Sequence, residues 1–190
     1  MTHSDVPGRV PAGATPEGDG IVIGTGPVQV DVFIDFLCPF CRKFEQAAES
    51  DLARLVHQDQ ARVAYHPMNF LDEASTTSYS TRAAAASGCA ADQGRFLQYA
   101  HELFARQPPE GGAGLSDAAL AGLGAAAGLD QAALAACLAQ GTYLEWPTYV
   151  TARATAAGVS ATPTVLVAGL AVTPEPHAIS AAVIRAGQAP

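Results

Sequence analysis

Apolar runs of strand length and one long amphipathic run alternate in the first part of the chain. Residues 21–23 form a short apolar run between two glycines and predict an edge strand, and residues 28–36 predict a longer central strand. The stretch 41–58 carries apolar residues at helical spacing, and residues 63–66 are again strand-like. A strand, a helix and a strand in this order predict a right-handed βαβ unit.

The middle of the chain has almost no strand signal. Residues 78–104 predict one long helix, because apolar positions recur on one side of it. Ser116 and Asp130 stand where an N-cap would begin two further helices, and residues 148–157 predict a last one that ends at Gly158. We therefore predict an all-helical insertion over residues 75–157.

Strand signal returns after this helical stretch. Residues 161–167 predict a turn and a strand, and residues 170–172 predict an antiparallel partner across a tight turn. Residues 176–186 predict the closing helix. The predicted organisation is a single domain of the α/β class. Its parts are a flexible N-terminal segment (1–19), a first βαβ part (20–74), the helical insertion (75–157) and a ββα part (158–190).

Composition narrows the range of partners and compartments. The net charge of −8 argues against nucleic acid or an anionic membrane as a partner, because both attract basic patches. Residues 1–20 are polar and contain no apolar core of a signal peptide, so an exported protein would have lost its signal or anchor. Four cysteines, an even number, suit an oxidising compartment.

The sequence Cys38-Pro39-Phe40-Cys41 lies at the junction between the central strand and its helix. Unpaired backbone N–H groups at a helix start favour a thiolate on Cys38, and Cys41 lies one turn further on, within reach of a mixed disulfide at Cys38. Pro39 supplies a rigid first-turn residue. The same spacing occurs in zinc sites and inert disulfides, but no second cysteine pair stands at ligand spacing, so we expect no metal.

This motif, Thr162-Pro163 before a strand and the helical insertion between them resemble the DsbA-like branch of the thioredoxin superfamily. The resemblance covers roughly residues 20–187 and implies a thioredoxin fold with an inserted helical subdomain. Members of that branch are exported thiol–disulfide oxidoreductases that need no cofactor. The alanine-rich, acidic composition is similar to that of actinobacterial members.

The resemblance implies a role for each residue of the site. Cys38 resembles the exposed nucleophile and Cys41 the buried resolving cysteine. Pro163 resembles the cis-proline that lies opposite the cysteines, and the backbone of Thr162 would pair with an extended substrate strand.

Two positions depart from the best-known oxidases of this branch. Phe40 replaces a histidine, so it offers neither charge nor a hydrogen-bond donor to the thiolate. We therefore predict a pKa of Cys38 that is less depressed than in the strongest oxidases, and a less oxidising cysteine pair. Thr162 replaces an apolar residue and is found in isomerase-type relatives, which leaves oxidase and isomerase activity both open.

Asp35 matches an acidic position common in this branch, three residues before Cys38. Two interpretations stay open: a carboxyl group that assists proton transfer from Cys41, and a solvated carboxylate at the strand end. Val32, six residues before Cys38, stands where related enzymes often have a buried acid. His66 ends a strand near the same edge, either as a functional residue or as a capping or surface histidine.

Cys89 and Cys137 both fall in the predicted helical insertion. The resemblance implies a structural disulfide between them, because actinobacterial members often carry a second bridge. A free buried thiol is the alternative for Cys137, which shares a stripe with Leu134 and Leu138.

The function predicted from these residues is disulfide formation in exported proteins, outside the cytoplasm, by dithiol–disulfide exchange through Cys38 and Cys41. The alternatives are a reductase or isomerase with the same residues, and a non-enzymatic binding or chaperone module. The expected partners are cysteine-containing exported proteins and a membrane reoxidising protein of the DsbB or vitamin K epoxide reductase type. We expect a monomer, since residues 1–20 are too short for a dimerisation domain.

Overall fold

The computed structural model describes residues 6–188 and contains a five-stranded sheet. In spatial order the sheet is β1–β3–β2–β4–β5. The strand bounds are β1 Ile21–Ile23, β2 Val28–Ile34, β3 Ala61–Pro67, β4 Thr164–Val167 and β5 Leu170–Val172. Strands β2 and β3 are parallel and every other neighbouring pair is antiparallel.

This pairing brings three separate parts of the chain to one edge of the sheet. The parallel pair β2 and β3 ends at the same edge, where Ile34 lies opposite Pro67. Strand β4 runs the other way and starts there, with Thr164 opposite Phe33. The loops after β2 and β3 and the loop before β4 therefore meet.

Seven α-helices surround the sheet within the described residues. Their bounds are α1 Pro39–His57, α2 Tyr79–Asp92, α3 Phe96–Ala105, α4 Asp117–Ala126, α5 Gln131–Ala139, α6 Trp146–Ala156 and α7 Pro176–Gly187. Helices α2 to α6 lie between β3 and β4, which confirms the predicted thioredoxin fold with a helical insertion. None of these helices is long and apolar enough to cross a membrane.

The prediction of one helix over residues 78–104 is wrong. The structure has two helices, α2 and α3, separated at residues 93–95. Gly94 adopts a φ of 66° there, a left-handed conformation that ends the first helix. Apolar spacing continues across the break because both helices bury a face in the same core.

Helices α1 and α7 contact each other and the sheet, and α6 contacts β3. Helix α1 begins at Pro39, whose fixed φ suits the first helical position. Its buried stripe includes Phe44, Ala48, Leu52 and Leu55, as the sequence pattern predicts. This packing fixes the start of α1 against the carboxyl end of β2.

Part of the segment predicted to be flexible, residues 14–19, makes defined contacts with the rest of the structure, whereas residues 1–5 lie outside the described part. Ala14 forms an isolated bridge to Ile21 of β1. The fully buried Trp146 donates from Nε1 to the carbonyl oxygen of Gly18 at 2.8 Å. The Tyr149 hydroxyl donates to the carbonyl oxygen of Glu17 at 2.7 Å. This segment is held because it supplies acceptors to buried side chains of α6.

His66 is buried beside this segment, so the surface interpretation of this histidine is wrong. Its ring stacks on Phe33 with centroids 4.4 Å apart. Nδ1 lies 2.7 Å from the carbonyl oxygen of Asp19, and Nε2 lies 3.1 Å from Oδ1 of Asp31. His66 thereby links β3, β2 and the N-terminal segment.

A disulfide joins two helices of the insertion. Cys89 of α2 and Cys137 of α5 are bonded, 48 residues apart in sequence. Cys89 is buried in the core, and Cys137 packs partly buried against it. The bridge closes a loop that contains α3 and α4.

Candidate active site

The four residues Cys38 to Cys41 lie at the edge of the sheet, where the chain passes from the end of β2 into the start of α1. Cys38 is the N-cap residue of α1, with an extended backbone, and Cys41 is in the first helical turn. Both are free thiols in the structure. The two sulfurs therefore lie at the positive end of a 19-residue helix, where an anion is favoured.

Several contacts lower the pKa of Cys38 from 9.0 to about 6. The largest contribution is a hydrogen bond from the Cys41 thiol, and the Thr162 side chain acts in the same direction. The backbone N–H groups of Cys41 and Phe40 also lower this pKa, although the Cys38 side chain accepts no capping hydrogen bond of standard geometry. Burial of Cys38 acts in the opposite direction and raises its pKa.

Cys41 has the opposite environment. It is fully buried, and this burial raises its pKa well above the usual value, with a further increase from the hydrogen bond and charge of Cys38. The backbone N–H of Asp35 donates to its sulfur at 3.4 Å. One cysteine of the pair therefore ionises easily, and its neighbour stays protonated.

Cys38 is less accessible than the predicted exposed nucleophile, since only 4% of the residue is exposed. Phe40 is instead the exposed residue of the motif, at 65%, and Lys43 Nζ lies 5.5 Å from its ring centroid. Phe70, in the loop after β3, is a second exposed aromatic residue. A reaction partner must therefore make close contact with the protein surface around Cys38 before it can reach the sulfur.

The loop before β4 lies against Cys38. The peptide bond between Thr162 and Pro163 is cis. As a thiol, Cys38 lies with its Sγ 3.4 Å from the carbonyl oxygen of Thr162. The structure thus brings Thr162 and Pro163 to the cysteine pair from 124 residues away in sequence.

Asp35 is fully buried, which excludes the interpretation of a solvated carboxylate. Oδ1 accepts hydrogen bonds from the Leu37 N–H at 2.8 Å and from the Ser80 hydroxyl at 2.7 Å. Oδ2 accepts one from the Leu71 N–H at 2.8 Å. Burial raises the pKa of Asp35 to about 6, these bonds oppose the increase, and the charge of Cys38 adds to it.

Two residues of the site carry no local sequence signal. Ser80 is buried in α2 and reaches Asp35 across 45 positions. Gln107, after α3, donates from Nε2 to the carbonyl oxygens of Phe36 and Cys38, both at 2.9 Å. Each holds the loop that carries the cysteines, and only the folded insertion brings it there.

Comparison with known proteins agrees with this geometry. A family model described as thioredoxin matches residues 17–184. The oxidised DsbA of Mycobacterium tuberculosis is 31% identical and superposes with a TM-score of 0.78, over 90% of this chain and 94% of that one. The reduced disulfide bond oxidoreductase DsbG of the same organism is 32% identical with a TM-score of 0.79, over 93% and 91%. The chain belongs to the DsbA-like oxidoreductases of the thioredoxin family.

A curated relative of a different length also matches this DsbA-like chain. The serine/threonine-protein kinase PknE of Mycobacterium tuberculosis is 38% identical over 135 residues. The match covers 66% of the DsbA-like chain and 24% of the kinase, so the chain spans about a quarter of that relative.

For this DsbA-like protein we expect a thiolate titration with a midpoint near pH 6. The thiolate fraction should fall as the pH drops below that value, because the environment lowers the pKa of Cys38. Ultraviolet absorbance of the reduced protein follows the thiolate, and the Cys38→Ser variant gives the background. A midpoint near pH 9, or one below about pH 4 as in the most strongly oxidising enzymes, would contradict a pKa of about 6 for Cys38.

Asp35→Asn should lower the pKa of Cys38 and destabilise the protein. The charges of Cys38 and Asp35 repel each other, so removing one favours the other. The amide N–H₂ of an asparagine would also face one of the three groups that donate to Asp35. The lost hydrogen bond should lower the free energy of unfolding by about 1–3 kcal/mol. The thiolate titration and urea unfolding measure the two effects.

Ser80→Ala is the matched control for this prediction. It removes one hydrogen bond to Asp35 but keeps the carboxylate, so the protein should lose stability without a lower pKa of Cys38. An equal decrease of that pKa in both variants would show that the charge of Asp35 is not the cause.

Proposed function

We propose that this DsbA-like protein forms disulfides in exported proteins by exchange through Cys38 and Cys41. The observation that carries the proposal is the asymmetry of the pair. The pKa of Cys38 is lowered to about 6, while that of Cys41 is raised. A stabilised thiolate is a good leaving group, so a mixed disulfide at Cys38 resolves readily towards the oxidised substrate.

The reaction begins with a Cys38–Cys41 disulfide. A substrate thiolate attacks the Cys38 sulfur, the bond to Cys41 breaks, and Cys41 leaves with the electron pair and takes up a proton. A second substrate thiolate then attacks the substrate sulfur of the mixed disulfide and displaces Cys38 as a thiolate. Two electrons pass from the substrate dithiol to the protein, which ends as the reduced pair.

The site also suggests how a substrate would be held. The loop with Thr162 and Pro163 faces Cys38 and is the proposed place for an extended substrate segment, whose backbone would pair there. Phe40 is exposed on the rim and offers apolar contact to such a segment. Asp35 is proposed to assist proton transfer at Cys41, whose sulfur accepts from the Asp35 backbone N–H.

Each cycle leaves the cysteines reduced, so an oxidant must accept two electrons. We propose a membrane quinone reductase of the DsbB or vitamin K epoxide reductase type in this role, and a location outside the cytoplasm. The resemblance to DsbA-like proteins and the Cys89–Cys137 disulfide, a bond favoured in oxidising compartments, support this location.

A reductase or isomerase is the second candidate function, because the same two sulfurs can run the exchange in the other direction. Thr162 favours this candidate only by resemblance, since isomerase-type relatives carry a threonine at this position, where the best-known oxidases have an apolar residue.

The reduction potential of the Cys38–Cys41 pair tests which direction is favoured. Equilibration in a glutathione series, followed by alkylation and peptide mass analysis, gives the oxidised fraction of this pair separately from Cys89–Cys137. An oxidase should have a potential of roughly −120 to −180 mV. A value near about −270 mV, typical of thioredoxin, would exclude the oxidase direction.

A further inference from the structure

A cavity of about 260 Å³ lies between α1, α3 and the strands β1 and β3, away from the cysteine pair. Most of its wall is apolar. The apolar side chains include Phe44, Leu52, Val56, Val63, Leu97 and Phe104. Because neither Cys38 nor Cys41 lines it, the cavity is a separate feature from the proposed active site.

Small residues keep the space between the two helices open. Ala100 of α3 is buried where that helix faces α1, and Ala53 of α1 lies on the same wall. Phe104, which lines the cavity, also packs against Phe36 of the loop that carries Cys38, with ring centroids 5.0 Å apart.

The charged groups of the lining are two carboxylates and two histidines: Glu45, Glu49, His57 and His101. Nδ1 of His101 lies 2.8 Å from Oε1 of Glu45 and 3.6 Å from Oε2 of Glu49. The Glu45 side chain is only 16% exposed, whereas that of Glu49 is 59% exposed. The rim therefore holds two carboxylates that share His101 as a partner, and it extends from solvent towards an apolar interior.

We propose that this cavity binds a small amphipathic cation, with its apolar body between α1 and α3 and its ammonium group at Glu45 and Glu49. A cavity of 150 Å³ in another protein holds benzene, so this volume has room for roughly ten carbon atoms. The stem of a lysine side chain is too short to fill it. Two carboxylates at the rim select a positive head group and disfavour an anionic one.

A bare divalent cation is the main competing ligand. The ligating atoms of Glu45, Glu49 and His101 all lie within 4.8 Å of one another. Such an ion would use these three side chains alone and would leave the apolar volume behind them without a role. The apolar wall therefore favours an organic cation, and the two ligands respond differently to substitutions inside the cavity.

The first experiment compares three probes with the same chain and different head groups. We expect n-octylamine, charged at neutral pH, to bind at least tenfold more tightly than 1-octanol in isothermal titration calorimetry. Octanoate should show no binding at the same concentrations. Equal binding of all three probes, or no binding of n-octylamine, would overturn the proposal.

Two variants locate the bound probe. Glu45→Gln with Glu49→Gln keeps the shape of the rim and removes both charges, so n-octylamine should bind about tenfold more weakly, as 1-octanol does. Ala100→Leu fills the interior and should abolish binding of both probes. Glu110→Gln, an exposed change outside the lining, is the control for loss of a surface carboxylate elsewhere and should leave both affinities unchanged.

If Ala100→Leu does not fold, Ala53→Leu narrows the same cavity from its exposed wall, and the probe series on the unaltered protein decides independently. Binding of n-octylamine that survives both the charge removal and the filled interior would place it elsewhere and overturn the proposal. Zn²⁺ titrated alone is the last comparison. If Zn²⁺ binds through the three side chains while n-octylamine does not bind, the site is a metal site instead.

Discussion

Cys38→Ser should reduce thiol–disulfide exchange to the uncatalysed background. Serine has the same shape, but its hydroxyl does not ionise in the range where the lowered pKa of Cys38 keeps a thiolate. The neighbouring Cys41 cannot replace it, because it is fully buried and its pKa is raised. Oxidative refolding of a reduced, denatured protein with two disulfides measures the loss.

The matched change at the second sulfur should have a different outcome. Cys41→Ser leaves the Cys38 nucleophile in place but removes the thiol that resolves a mixed disulfide, so adducts with substrates should accumulate. A serine hydroxyl can still donate to the Cys38 thiolate, whereas Cys41→Ala removes the largest contribution to the lowered pKa of Cys38. The pKa of Cys38 should therefore rise more in Cys41→Ala than in Cys41→Ser.

Exchange activity that survives Cys38→Ser would contradict the assignment of this sulfur as the nucleophile. Promotion of refolding without Cys38, and without any change in substrate disulfides, would instead indicate a binding or chaperone module on this fold. The Cys89→Ala, Cys137→Ala double variant is a suitable control, because it alters the cysteine count without touching the pair at α1.

That double variant should itself lose about 4 kcal/mol of stability in the chain-entropy model, because the bridge closes a loop over 48 positions. A domain of ordinary stability has roughly 5–15 kcal/mol in total, so a large fraction would be lost. Neither sulfur belongs to the cysteine pair, so exchange activity should remain at temperatures where the variant is folded.

Thermal and urea unfolding of the two proteins measure this effect, with Cys38 and Cys41 in the same redox state in both. For a chain of this length we expect the unfolding temperature to fall by about 8–16 °C. A decrease of less than about 2 °C would show that the loop is already constrained in the unfolded chain, and that the entropic account fails here.

Local sequence was sufficient for the strands, for most helices and for the start of α1. Strand and helix periodicities come from neighbours a few residues apart, and Pro39 after Cys38 marks a helix start in the same local way. The prediction of one long helix over residues 78–104 is wrong because the apolar spacing continues across Gly94, where the first helix ends. Resemblance, rather than spacing, suggested that Thr162 and Pro163 lie near Cys38.

Contacts between positions that are distant in sequence could not be predicted from the sequence pattern. Asp35 looks like an ordinary strand-end acid until the fold brings Ser80 and Leu71 to its oxygens. Gln107 lies in a loop whose composition indicates only a turn. Its side-chain Nε2 nevertheless donates a hydrogen bond to the carbonyl oxygen of Cys38. Such roles depend on three-dimensional neighbours, which no periodicity encodes.

The N-terminal segment has a consequence for the order in which the molecule is completed during synthesis. Gly18 accepts its hydrogen bond from Trp146, 128 residues later, and Asp19 pairs with Arg153 at 3.1 Å. A ribosome releases the acceptors first and the donors long afterwards. The segment that carries Gly18 and Asp19 therefore gains these partners only after α6 has left the exit tunnel.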